Sequence, residues 1–281
     1  MAELLVLWDV DFTLLSSRGL GTRLYEATFR EMFGRELTVV ADKAGRTDRA
    51  ILLETLALAG IAEPRAHLNA FLAALARHSA TWNSSPAPGS TAPGAAADGS
   101  TAPGSTAPGS TAPGSTAPGA AADGSAVLGA AAEGSAADEV HALPGAGAAI
   151  EALAAAGIRQ SVLTGNIRPL AELKLGLAGL GKHLDLDVGA YGDVHEVRAE
   201  LVPVARQAAA AAYGLDFGGP LTVLVGDTPL DVAAALATGA RAVGVATGSF
   251  PAGDLAAAGA HVVLPDLTDT ALLLAAVTGQ P

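Results

Sequence analysis

The stretch Leu4-Leu5-Val6-Leu7-Trp8-Asp9-Val10-Asp11-Phe12-Thr13 decides how the rest of the chain is read. Residues 3–8 form a short apolar run bounded by acids, the pattern of a parallel strand buried on both faces. Asp9 and Asp11 leave its end one residue apart, and a bend there turns both toward one site. The arrangement recurs twice. Residues 158–163 run into Thr164-Gly165-Asn166, and residues 221–225 run into Gly226-Asp227-Thr228-Pro229-Leu230-Asp231. The glycines let backbone N–H groups come close to a ligand.

Between and beyond these strands the spacing is helical. Helices are expected over 19–33, 47–59, 64–82, 144–156, 169–177, 201–213, 230–238, 254–258 and 269–278, with further strands over 242–246 and 261–264. Strands alternating with helices of this length mean an α/β fold, a Rossmann-like parallel sheet with helices on both faces. Ligands of such sheets sit at the carboxyl ends of the strands, where the acids are.

Composition narrows the function. Of 281 residues, 16 are Lys or Arg and 28 are Asp or Glu, a net charge of −12. That balance argues against nucleic-acid binding, which needs clustered cations to neutralise phosphates. Half the residues are hydrophobic, too many for a wholly disordered chain. There is no cysteine, so disulfides, thiolate metal sites and a Cys nucleophile are excluded. The apolar stretches are broken by charge, as by Glu151, and residues 1–8 have no basic region of a signal peptide. A cytoplasmic protein with no membrane association is expected.

One segment stands apart. Residues 84–137 consist almost entirely of Ala, Gly, Ser, Thr and Pro. The pentad Gly-Ser-Thr-Ala-Pro repeats from Gly99 to Pro118, and residues 88–100 and 113–125 are identical. The period fits neither helix nor strand, and little beyond Val127 and Leu128 could enter a core. Such a segment cannot bury enough apolar area to offset its ordering entropy, so a disordered insert over 84–139 is expected. It reads either as a tolerated expansion of a surface loop or as a tether for a partner.

The strand-end residues suggest a reaction class. Carboxylate oxygens suit Mg²⁺. One Asp can attack phosphorus and a second can move the proton of the leaving group. A hydroxyl, backbone N–H groups and one cation can hold the phosphoryl oxygens.

On the DxDxT box at 9–13, the Thr-Gly-Asn at 164–166 and the GDxxxD at 226–231, the chain resembles haloacid dehalogenase superfamily phosphatases of the phosphoglycolate-phosphatase-like kind, with a helical cap. The resemblance implies a catalytic core over 1–15 and 144–281, and a cap over 16–83 inserted after the first strand and interrupted by the segment 84–139. It implies Asp9 as nucleophile and Mg²⁺ ligand. Asp11 would be general acid and base, with its carbonyl on the metal. Asp227 would be a metal ligand, and Asp231 a supporting one or a simple first-turn acid. Thr13, Thr164, Gly165 and Asn166 would face the phosphoryl group, although Thr164 also fits a plain turn.

The chain departs from the family's pattern twice. Phe12 stands where the family usually has Gly, which makes the entrance narrower or more apolar. The family's third-motif Lys-Pro is missing; Arg198 holds the matching place before its helix, and Lys174 is the competitor. From the cap, the loop Gly45-Arg46-Thr47-Asp48 is the best source of a substrate contact through Arg46, or merely a capped helix start. Arg18 and His195 are weaker candidates.

The expected activity is Mg²⁺-dependent hydrolysis of a small-metabolite phosphate monoester through an aspartyl-phosphate. A phosphomutase and a catalytically silent binding protein are the alternatives. A dehalogenase would lack Asp11, and a phosphonatase would need a cap lysine, for which only Lys43 is present.

Overall fold

The computed structural model describes residues 3–82, 126–127 and 140–279. Its central sheet has five parallel strands: β1 (Leu5–Trp8), β6 (Arg159–Val162), β7 (Thr222–Gly226), β8 (Arg241–Val245) and β9 (Val262–Leu264). Their order is β6-β1-β7-β8-β9. The chain passes from β1 to one neighbour and then crosses to the other, so the direction of winding reverses at β1. A crevice opens at such a switch point, beyond the strand's carboxyl end.

Alternation along β1 assigns the two faces. Val6 and Trp8 pack into a core with α4 (Ala146–Ala155), α5 (Arg168–Leu177) and α9 (Thr270–Thr278). Leu5 and Leu7 point the other way, into a core with α6 (Leu201–Tyr213), α7 (Pro229–Ala237) and α8 (Ala252–Ala257). The one polar edge in the first core is satisfied: the Trp8 indole donates to Gln160 at 3.0 Å, and Gln160 donates to the Ile150 carbonyl.

Between β1 and α4 lie three helices, α1 (Leu20–Phe33), α2 (Asp48–Leu58) and α3 (Pro64–Trp82). Leu24, Tyr25 and Phe29 of α1 meet Leu68, Phe71 and Leu75 of α3 in the same continuous core, and α3 also packs on α5. Pro64 opens α3 where a missing N–H costs nothing, and Thr47 caps α2 by accepting from Ala50 N.

Short strands brace this layer. β2 (Leu15–Ser16) pairs antiparallel with β5 (His141–Ala142), so the chain leaves and re-enters the sheet side by side. β3 (Val39–Val40) pairs with β4 (Ala126–Val127). The sequence gave no sign of these two-residue strands. β4 lies inside the segment expected to be disordered; the rest of 84–139 lies outside the described residues.

Candidate active site

Three strand ends bring the acids together. Asp9 follows β1, and its backbone N–H still donates to the Val225 carbonyl of β7 at 2.8 Å. Asp227 follows β7, and Asp231 sits in the first turn of α7. One carboxylate oxygen from each of Asp9, Asp227 and Asp231 falls within 4.8 Å of the others, and all three residues are buried. Gly226 makes this convergence possible: a Cβ there would lie 2.3 Å from Asp231 Cγ.

Arg198 closes the cluster. It precedes α6 and is almost wholly buried. Its Nη2 lies 2.5 Å from Asp9 Oδ1 and 2.6 Å from Asp231 Oδ1, and it also donates to the Leu163 carbonyl at 3.1 Å. The remaining oxygens have different fates. Asp231 Oδ2 accepts from the Thr228 amide and hydroxyl in a capping box, so both oxygens of Asp231 are engaged. The helix-cap and active-site readings of this acid therefore hold together. Asp227 Oδ1 accepts from the Thr13 hydroxyl at 3.2 Å. Asp9 has an oxygen with no partner among the described residues.

The electrostatics are lopsided. Burial pushes the Asp9 carboxyl up to about 7; Arg198 opposes the rise, while Asp231 and Asp11 add to it. Burial, then Asp9 and Asp231, push Asp227 up to about 8. As carboxylates, three buried acids face one guanidinium. Hard oxygen donors with unmatched negative charge fit a divalent cation such as Mg²⁺. The free oxygens on Asp9 and Asp227 make these two the direct ligands, with Asp231 holding Arg198 and the helix start.

Asp11 belongs to a second cluster. Its carboxylate turns to Lys174, whose Nζ lies 2.8 and 2.7 Å from the two oxygens. Ser17 Oγ donates to it at 2.8 Å and Asn166 Nδ2 at 2.7 Å, while Lys174 also donates to Asn166 Oδ1. Burial alone would raise the Asp11 carboxyl, but Lys174, Asn166 and Ser17 more than offset it and hold it below its usual value. The two candidate cations thus take different partners: Arg198 takes Asp9, and Lys174 takes Asp11.

The Thr164-Gly165-Asn166 turn lies between the clusters. Thr164 Oγ1 accepts from Asn166 N and Nδ2, so this hydroxyl serves the turn while lining the same cavity. Gly165 is pressed against the loop before α2: a Cβ would lie 1.9 Å from the Arg46 carbonyl oxygen. That loop is stitched down. Asp48 N donates to the Gly165 carbonyl at 2.7 Å, Asp48 Oδ2 accepts from Ile167 N at 2.7 Å, and Asp48 Oδ1 accepts from the Tyr25 hydroxyl. Arg46 lines the cavity, but its guanidinium is turned to Glu54 at 2.7 Å and to the Asp42 carbonyl. His195 accepts from Val197 N, in a shallow groove away from the acids.

All these groups except Thr13, Asp231 and His195 line one cavity of about 550 Å³. Phe12 stands at its edge, 49% exposed, with a left-handed φ of 61°. Sequence reasoning missed Ser17, Tyr25, Asp48 and Phe250 as cavity-lining residues. None has a motif signature, because each enters through tertiary packing.

Residues 115–236 match the family model described as haloacid dehalogenase-like hydrolase. The span holds Thr164, Arg198, Asp227 and Asp231 but begins after Asp9 and Asp11. No curated protein matches the chain. Among solved structures, a predicted phosphatase from Clostridium acetobutylicum superposes with a TM-score of 0.57 at 14% identity, covering 98% of this chain and 99% of that one. A hydrolase from Pseudomonas syringae gives 0.57 at 17% identity, covering 97% and 98%. A haloacid dehalogenase-like family hydrolase from Streptococcus pneumoniae gives 0.52 at 13% identity, covering 97% and 99%. At these identities the structures speak for the fold; with the family match and the order of the motifs, they bear out the resemblance.

Proposed function

We propose that this chain, a haloacid dehalogenase superfamily member by its matched family model and its fold, is a phosphatase that hydrolyses a small phosphate monoester with Asp9 as nucleophile. The observation that carries this reading is the pairing of a partnerless Asp9 oxygen with Arg198 at the floor of a closed-in cavity. A buried carboxylate with one free oxygen is poised to attack, and a planar guanidinium beside it can bridge carboxylate and phosphoryl oxygens.

In the first step an Asp9 oxygen bonds to phosphorus, the ester P–O bond breaks, and the alcohol oxygen takes a proton. Asp11 and Lys174 together hold that proton, as a carboxylate with an ammonium against both its oxygens. In the second step a water oxygen bonds to phosphorus, the Asp9–phosphorus bond breaks, and the Asp11–Lys174 pair recovers a proton. Thr13 and Ser17 hold Asp227 and Asp11 in place, and Asn166 keeps Asp11 and Lys174 in register. The Thr164-Gly165-Asn166 turn bounds the phosphoryl pocket.

Asp9 and Asp227 would hold Mg²⁺ with the Asp11 carbonyl, Asp231 standing behind them; the ion would neutralise charge on the phosphoryl oxygens. The layer α1–α3 would serve as the cap, since its loop at 45–48 and residues of α1 form the upper wall. We place the activity in the cytoplasm, on a small metabolite. No described helix is long and apolar enough to cross a membrane.

The test is phosphate release from a panel of phosphorylated metabolites, with Mg²⁺ and with the metal chelated. Metal-dependent release supports the reading. Transfer of phosphoryl between substrate positions without release would identify a mutase, and inertness toward the whole panel would remove the enzymatic reading.

A further inference from the structure

The floor of the cavity is acidic, but one wall is not. Lys43 lies in the loop between β3 and α2 and lines the cavity with Thr22 and Tyr25 of α1. Its ammonium donates to the Thr22 hydroxyl and sits 5.2 Å from the centre of the Tyr25 ring. Among the described residues it has no carboxylate partner. The other inward cations are all matched: Arg198 by Asp9 and Asp231, Lys174 by Asp11, Arg46 by Glu54. Arg18, exposed on the same wall, likewise has no acid beside it.

A half-buried ammonium without a counter-ion is costly. Burial, and after it the nearby charge of Lys174, lower the Lys43 ammonium to about 8. The neighbouring acid does not relieve it: Asp42 is exposed and accepts from Ala44 N instead. An anion entering the cavity would supply what the protein does not. Inorganic phosphate on the floor would not meet this need, because the floor already has Arg198.

We propose that Lys43, with Arg18 beside it, receives a second anionic group of the substrate, so that the cavity takes phosphate monoesters whose alcohol part carries a carboxylate or a further phosphate. This deepens the phosphatase reading and rests on it for the placement of the first phosphate. The geometry sets a direction: the reacting phosphoryl group sits at Asp9, and the second anion points toward the wall formed by α1 and the loop at residue 43. A charge-assisted hydrogen bond contributes roughly 1.5–3 kcal/mol, which is about a 10- to 150-fold gain in affinity.

The test uses binding, so that it does not depend on turnover. Calorimetry on the full-length protein with Mg²⁺ compares three non-hydrolysable probes: ethylphosphonate, with a neutral tail; phosphonoacetate, with a carboxylate; and 1,2-ethylenediphosphonate, with a second phosphonate. The wild type should bind at least one two-anion probe about 10- to 100-fold more tightly than ethylphosphonate, and the better of the two names the second group. In Lys43→Met that ratio should fall toward one, and in Lys43→Arg most of it should survive. The ratio within each variant is the readout. Equal affinities in the wild type, a ratio unchanged in Lys43→Met, or equal loss of all probes in that variant would overturn the proposal; the last would make Lys43 a prop for Thr22 and Tyr25. Turnover of phosphate esters without a ratio would sink this inference alone, whereas a ratio without turnover would sink the phosphatase reading alone.

Discussion

Arg198 Nη2 lies 2.5 Å from Asp9 Oδ1, across 189 residues of sequence, and this contact fixes which cation serves the nucleophile. Burial alone would weaken the guanidinium's hold on its proton, but Asp231, Asp9 and Asp227 reverse the effect and raise it above its ordinary value. Lys174, the other candidate, is committed to Asp11.

The two cations should therefore fail differently when removed. Arg198→Met is expected to lose about 10³- to 10⁵-fold in kcat, the leverage of an arginine on phosphoryl transfer. It should also destabilise the fold by about 3–5 kcal/mol, because two buried carboxylates lose their counter-ion. Arg198→Lys should recover part of the rate. Steady-state kinetics and urea unfolding measure both, and near-normal turnover in Arg198→Met would shift the bridging role elsewhere.

Lys174→Met should change a pH profile more than it changes substrate binding. Lys174, with Asn166 and Ser17, holds Asp11 below its usual value against the opposing effect of burial. Without the lysine, burial dominates and the carboxyl rises. The acidic limb of the pH–rate curve that reports Asp11 should move to higher pH, with little change in KM. An acidic limb unmoved in Lys174→Met would show that Asp11 does not titrate in the rate-determining step.

Metal and proton should compete for Asp9 and Asp227. Folding lifts these groups from 3.8 to about 7 and about 8 without metal. The folded state then binds protons more tightly than the unfolded state. Their contribution is fully present below pH 4 and is lost as pH rises toward 8. Mg²⁺ binds the ionised forms, so its stabilising effect should grow over the same range. Melting temperatures at pH 5.5 and 8.0, with and without MgCl₂, check this; an equal Mg²⁺ increment at both values would contradict it.

Phe12 pays for its position in backbone strain. A left-handed φ of 61° costs an L-residue roughly 1–2 kcal/mol, and a ring 49% exposed recovers little by packing. Phe12→Gly relieves the strain but frees the unfolded chain by roughly 0.5–1 kcal/mol. A net gain of up to about 1 kcal/mol is expected in chemical denaturation, with faster turnover of bulky substrates. A loss beyond about 1 kcal/mol would mean that the ring has a packing role.

The sequence shows much of this architecture because its signals are local. Helix α6 is legible to both ends, since Gly214 stops it and its alanines favour it. Asp9, Asp227 and Thr164 are legible because each follows an apolar run. The two-residue strands β2 and β5 are not: Leu15 and Ala142 pair across more than a hundred residues, with no periodicity to announce it. Lys174 was found by its distance from Thr164, but its bond to Asp11 depends on how α5 docks. Lys43 became informative only once its neighbours were known, since a missing partner is a tertiary property.

The central claim is that Asp9 carries the phosphoryl group. Acid quench of the enzyme during turnover of p-nitrophenyl phosphate, then borohydride reduction and peptide mass spectrometry, reads this directly. Reduction of an acyl phosphate converts its aspartate to homoserine. Homoserine is expected at position 9 in the wild type, dependent on substrate, and absent at position 9 in Asp9→Asn, which should also be inactive. Homoserine at another aspartate, or undiminished turnover in Asp9→Asn, would contradict the account.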